Sequence, residues 1–243
     1  NALWGIAGLA SGVGIGIAFL WKGFNLGRSA PTAKASGMVM PALSILLLVL
    51  LLLAPQFGRD AAGLPTGPVF FSKEGPGSMH APALIALGVG LLVGWMAQRS
   101  RFCTVGALRD LFMLKDPHLF YGIIALVAAA IGTNVALGQF RLGFAGQPVA
   151  HTNALWNFLG MLLSGLAFTL AGGCPGRQLI MSGEGDNDAA VFVMGLVVGA
   201  GIAHNFGFAS SAKGPGAFAV AAFALGMAYC LAVGFFNRGR VSA

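Results

Sequence analysis

A chain of 243 residues that is 57% hydrophobic and 9% charged falls far below the charge content of about 25% usual for a soluble globular domain. With a mean hydropathy of +0.82 it reads as an all-α integral membrane protein, one compact bundle by its length. The formal charge of +7 would point to nucleic acid in a soluble protein, but in so apolar a chain it reflects loop orientation, and no nucleic-acid partner is expected.

No period-two alternation marks the strands of a barrel. The three cysteines have no paired spacing, so no disulfide framework is expected. No metal or cofactor is expected either, because no His/Cys spacing resembles a metal site.

Seven apolar runs can each supply a spanning helix of about 20 residues. They are centred near Val13, Leu47, Leu91, Leu126, Leu162, Val197 and Ala224. About seven transmembrane helices are predicted, with short re-entrant helices between some of them. The 38 glycines suit close helix packing and helix breaks.

The first run carries Gly8, Leu9, Gly12, Gly14, Ile15 and Phe19. The sixth carries Gly195, Leu196, Gly199, Gly201, Ile202 and Phe206 at the same spacing. The helices that follow, Gly37 to Leu53 and Ala217 to Phe236, correspond in order. An odd number of steps along the spans separates the copies, so the halves are expected to run oppositely through the bilayer. Inverted repeats are a transporter architecture. Residues 1–78 are then the end of a first repeat plus a connecting loop, and 79–243 the second repeat. The stretch Met79 to Asp188 precedes the second copy, so a mirror-image stretch of roughly a hundred residues is expected upstream of the first. Pro55 to Ser78 reads as a loop with no assigned function.

Two short segments interrupt the apolar pattern. Arg99-Ser100-Arg101-Phe102-Cys103-Thr104-Val105-Gly106-Ala107-Leu108-Arg109-Asp110 follows the third run, and Gly172-Gly173-Cys174-Pro175-Gly176-Arg177-Gln178-Leu179 follows the fifth. A fainter similarity links the approaches to them, Leu87-Gly88 to Cys103 and Leu159-Gly160 to Cys174. In the second segment the glycines end a helix and Pro175 suits the first position of a new one, with Cys174 at its cap and Gly183 to stop it. In the first, Thr104 is expected to cap a short helix running to Leu114. Each thiol then lies at a positive helix end, with Arg177 one turn on in one case and Arg109 two turns on in the other. Asp110 is placed to pair with an arginine, which is cheaper in a membrane than a bare charge.

Thiols are weak donors on soft, polarizable atoms. Joined to a helix N-terminus and an arginine, they suit a small anion with a soft atom, one containing sulfur or selenium. A hard cation would want carboxylates and carbonyls. The competing reading makes the cysteines packing residues and has the arginines snorkel to head groups.

Other residues divide similarly. Gln178 can donate to an oxyanion from the same turn as Arg177. His204 and Asn205 stand where the first copy has Ile17 and Ala18, and either line a path or hydrogen-bond between helices. Cys230 sits mid-helix as a packing residue. His80, His118 and His151 lie at span ends, and Trp4, Trp21, Trp95 and Trp156 near helix ends, as interfacial residues do. The run Gly183-Glu184-Gly185-Asp186-Asn187-Asp188 lacks the spacing of a calcium loop and reads as a solvated connection that caps the sixth span. If Arg238 and Arg240 are cytoplasmic, Lys22, Arg28, Lys34, Arg99, Arg101 and Lys115 share their side, and Arg59, Lys73, Arg141 and Lys213 lie opposite.

The two cysteine segments resemble those of the YeeE/YedE family of membrane transporters. The stretch from Gly143 to Pro148 and the Ala203-His204-Asn205-Phe206-Gly207 run are similar to its YedE branch, associated with selenium metabolism. The resemblance covers essentially the whole chain, as the later two-thirds of a longer member. It implies an hourglass-shaped bundle in the bacterial inner membrane that takes up a sulfur oxyanion, thiosulfate or, in the YedE branch, a selenium compound. It further implies that Cys103 and Cys174 are pathway thiols, passing the anion by transient S–H hydrogen bonds. Thr104, Arg109, Arg177, Gln178, His204 and Asn205 complete the candidate path. A further thiol is expected in the first half, where nothing before Cys103 supplies one. A small soluble sulfur-carrier protein with a Cys-Pro motif is the implied partner.

Three functions compete. The leading one is a transporter or channel, not an enzyme. The second is a membrane thiol–disulfide conductor, which requires a reversible Cys103–Cys174 bond. The third is a purely structural subunit, which would tolerate loss of Cys174 and Arg177.

Overall fold

The computed structural model describes residues 2–25, 38–53, 81–143, 151–211 and 214–239. Among these residues there are nine helices: α1 (Ala2–Trp21), α2 (Val39–Leu53), α3 (Ala83–Ser100), α4 (Thr104–Met113), α5 (His118–Ala136), α6 (Ala154–Leu170), α7 (Pro175–Gly183), α8 (Asn187–Asn205) and α9 (Ala219–Phe236). The only extended pairings among them are two isolated bridges, Phe24 with Arg238 and Ser211 with Gly214. The loop from Pro55 to Ser78, the stretch from Phe144 to Pro148, and Arg28, Lys34, Arg59, Lys73, His80, Lys213 and Arg240 lie outside the described residues.

Among the described residues, six stretches are long and apolar enough to cross a membrane: α1, α3 with α4, α5, α6 with α7, α8, and α9. The protein is an all-α, multi-pass membrane protein. The expected second span is α2. At 15 residues it is about 22 Å long, short of the roughly 30 Å hydrocarbon core. Its apolar character and its place between α1 and α3 still suit a crossing, as the α1–α6 pair indicates.

That pair is the closest in the bundle. A methyl on Gly8 would overlap the Phe158 carbonyl, one on Gly12 the Leu162 carbonyl, and one on Gly16 would stand 2.5 Å from Thr169 Cβ. From the other side, a methyl on Gly165 would overlap the Leu9 carbonyl. Lipid tails are as apolar as Leu, so helices associate in a bilayer by dispersion at close approach, which small residues permit. The contacts advance together along both chains, so α1 and α6 run parallel. Parallel spans need an odd number of crossings between them, and α2, α3 and α5 provide three.

Around this seam lie two buried clusters. One joins Val13 and Ile17 of α1 to Cys103, Val105 and Cys174. The other gathers Phe19, Phe24, Leu166, Leu170 and Cys230, so Cys230 packs in the α1–α6–α9 core. Arg238 closes that end, with its guanidinium 5.0 Å from the Phe19 ring centre and 4.0 Å from that of Phe235.

The faint similarity between the two cysteine approaches is a structural duplication. Helices α3, α4 and α5 form one unit, and α6, α7 and α8 another. Each is a long helix, a break, a half-helix and a returning long helix. The two cysteines are 71 positions apart, and the same spacing relates the starts of α3 and α6 and of α4 and α7. Each break holds one residue in the left-handed region two positions before its cysteine: Arg101 at φ 52° and Gly172 at φ 81°.

Candidate functional site

Local sequence builds both breaks. At the end of α6, the Gly173 N–H donates to the Phe168 carbonyl at 3.0 Å and the Gly172 N–H to that of Thr169 at 3.2 Å. This is the two-bond helix stop that a left-handed glycine allows. At the end of α3 the same position is Arg101, whose N–H donates to the Gln98 carbonyl at 3.2 Å. Arginine holds that conformation against the Cβ clash that glycine escapes.

The new helices then start differently. Thr104 was expected to cap α4, but it is the first helical residue, and Cys103 is the cap. Cys103 is extended (φ −151°, ψ 118°), and its sulfur accepts from the Gly106 N–H at 3.2 Å, as a serine oxygen would at a helix start. The expectation holds at α7, where Cys174 is the cap and Pro175 the first residue, but the Cys174 side chain makes no cap bond. The expected stop at Gly183 shifts slightly. Gly183 is the last helical residue, and Gly185 at φ 93° makes the turn.

The two caps meet. The Cys174 N–H donates to Cys103 Sγ at 3.4 Å. The two thiols interact, and Thr104 also reaches the Cys174 sulfur. Both cysteines are free, 7% and 8% exposed, and lie against Val13 and Ile17 of α1. Cys103 thus has two N–H groups hydrogen-bonded to its sulfur, whereas the Cys174 sulfur faces the Arg177 and Thr104 N–H groups without closing a cap bond.

The candidate polar residues are distributed unevenly. Gln178 is buried, and its amide donates to the Ala171 carbonyl at 3.0 Å, tying α7 to the end of α6. Arg109 pairs with Asp110 at 2.9 Å, the pairing expected of that aspartate. Arg177 is in the first turn of α7. One guanidinium nitrogen lies 3.8 Å from a Glu184 oxygen, and Nη1 is buried with no hydrogen-bond partner among the described residues. An unmet buried donor costs about 1–3 kcal/mol, so this one marks a place where an acceptor belongs. His204 and Asn205 lie in the last turn of α8, about 25 Å along its axis from its start. Both are exposed, and the Asn205 amide donates to the Gly201 carbonyl at 2.7 Å.

Two features were not read from sequence. One is the apolar wall of Val13 and Ile17, which no local pattern links to residues so distant in the chain. The other is Glu184, taken only as part of a solvated connection. Its signal was present, because positions seven apart share a helix face. Within the same run Asp186 does cap α8, accepting from the Ala189 N–H at 2.8 Å.

Residues 99–234, more than half of the chain, match the family model described as sulphur transport. The thiosulfate transporter TsuA of Escherichia coli is 32% identical over 110 residues, 44% of this chain and 30% of that protein. TsuA of Spirochaeta thermophila is 34% identical over 97 residues, 40% of this chain and 29% of that protein. The probable transporter YedE of Salmonella typhimurium is 31% identical over 128 residues, 51% of this chain and 30% of that protein. The chain therefore spans about 30% of the length of the curated relatives it matches. No solved structure matches it. On the family match, with the duplicated cysteine units as its physical counterpart, the chain belongs to the sulphur transport (YeeE/YedE) family of membrane proteins.

Proposed function

We propose that this protein conducts a small sulfur- or selenium-containing anion, thiosulfate-like in size and charge, across the bacterial inner membrane along thiols at helix N-termini. The observation that carries the reading is the meeting of two buried free thiols at the starts of two half-helices, one turn from an arginine with an unmet buried donor. Helix N-termini and a guanidinium favour negative charge, and the thiols offer weak, soft contacts. Conduction needs a site that attracts the ion and still releases it, which S–H donors suit better than a tight clamp. Relatives named as thiosulfate transporters point to the same cargo class.

In this reading Cys103 and Cys174 are the pathway thiols, with Thr104 beside them, Arg177 as the cationic group and Gln178 holding the break in shape. Arg109 lies further along α4, and His204 and Asn205 belong to another level of the path. Residues 1–78 end one inverted repeat and 79–243 form the other, within an hourglass bundle. The C-terminus is cytoplasmic, where a soluble sulfur carrier with a Cys-Pro motif receives the cargo. The protein moves its cargo and does not transform it.

The test is uptake of labelled thiosulfate and of selenium compounds by cells lacking their own transporters. The full-length gene is compared with its Cys174→Ala form. Uptake that disappears with the thiol while protein level holds is the expected result. No uptake of any such anion by the wild type would sink the proposal. It would favour a thiol–disulfide conductor, the second reading that the closeness of the two thiols supports. That reading requires a reversible Cys103–Cys174 disulfide, detectable by mass analysis without reductant.

A further inference from the structure

Arg177 and Glu184 sit at opposite ends of α7 on one face, two turns apart. Both oppose the helix dipole. The arginine is at the positive end and the carboxylate, on the cap residue Glu184, is at the negative end. Neither charge is placed where the helix would favour it, so another requirement holds them there.

The side-chain path is equally unusual. The Cα atoms are about 10 Å apart along the axis. The Arg177 stem leans toward the N-terminus beside Gly173, as helical side chains do, yet its guanidinium comes within 3.8 Å of Glu184. The contact is too long for a hydrogen bond. The arginine side chain is 19% exposed and the glutamate 38%, so the guanidinium is the inner partner. Nη1 is left buried and without a hydrogen-bond partner among the described residues. Arg109 differs, closed on its neighbour Asp110 at 2.9 Å.

We propose that Glu184 is a positioning residue: a resting counter-ion that draws Arg177 away from the thiol pair until an arriving oxyanion, offering the acceptor that Nη1 lacks, takes its place. The proposal rests on the anion reading of the site. In it the carboxylate sets how tightly the anion is held. With Glu184 in place, the anion displaces a loose internal partner and, on leaving, is replaced by it. Without Glu184, the guanidinium stays on the anion, so binding tightens and release slows.

The test is the kinetics of thiosulfate uptake by the full-length protein in proteoliposomes, with KM and maximal rate measured separately. Glu184→Gln is expected to lower KM about five-fold, as loss of a partly exposed competing ion pair would, and to lower the maximal rate with it. In an Arg177→Ala background the same substitution is expected to leave KM unchanged, since the two act as one unit. A fall in protein level with no change in KM would mean that Glu184 only supports α7, and would overturn the proposal. So would an equal KM shift in the Arg177→Ala background. Should Glu184→Gln fail to accumulate, Glu184→Asp shortens the reach and is expected to lower KM about two-fold, and no shift there overturns it as well. A wild type with Cys174-dependent uptake but no response at Glu184 leaves the anion reading standing and removes this one. A wild type with no uptake removes both.

Discussion

The two cysteine units share a plan and differ at their thiols and charges. In the α3–α4–α5 unit, the Cys103 sulfur holds the start of its own helix through Gly106 and receives the Cys174 N–H. The charges on its half-helix are closed on each other. In the α6–α7–α8 unit, the Cys174 sulfur faces the Arg177 N–H without closing a cap bond, and its half-helix carries the loosely paired Arg177. The surroundings differ as well. Helix α6 is pressed against α1, whereas a Cβ on Gly88, Gly90 or Gly94 of α3 would meet nothing within 4 Å among the described residues. A duplicated unit can thus keep its backbone while the contacts at its cysteine and the pairing of its charges differ.

The comparison can be broken most severely at the seam that only the second unit has. Gly12→Leu forces a side chain into the Leu162 carbonyl and should destabilise the protein by about 3 kcal/mol or more. Loss of monodisperse protein in detergent would show it. Cys174→Ala comes next. Uptake should fall about 10- to 100-fold, the scale of a lost contact to a charged group, with an unchanged melting temperature. Cys103→Ala should differ in kind, with a melting point lowered by the loss of a helix cap, about 1 kcal/mol. Equal melting behaviour of the two alanine variants would refute that structural difference.

The smallest effects test the breaks. Gly172→Ala places a Cβ at φ 81° and should cost about 1 kcal/mol. Arg101→Gly removes the same strain from the first unit and should gain up to about 1 kcal/mol, read as opposite shifts in thermal unfolding.

Much of this was legible because membrane sequences are constrained by length and polarity. Six of the seven apolar runs became helices long enough to span and the remaining one became the shorter α2, and Gly172, Gly173 and Pro175 marked a stop and a restart that the backbone follows. The cap of α4 was misplaced by one residue. Threonine is the familiar capping side chain, but the extended backbone falls at Cys103, and a thiol suffices to accept one N–H. Gln178 looked like a ligand from its position on α7, and its bond to Ala171 depends on how the break folds back.

By itself, then, the sequence determined which segments cross the membrane, where helices break and which thiols start new ones. Those properties follow from hydrophobic length, the backbone freedom of glycine and the missing N–H of proline, all local. Only the tertiary structure decided that the two caps meet, that α1 runs parallel to α6, that Val13 and Ile17 wall the thiols, and that Arg177 reaches for Glu184. Those depend on close approach between helices distant in the chain, which no local pattern encodes.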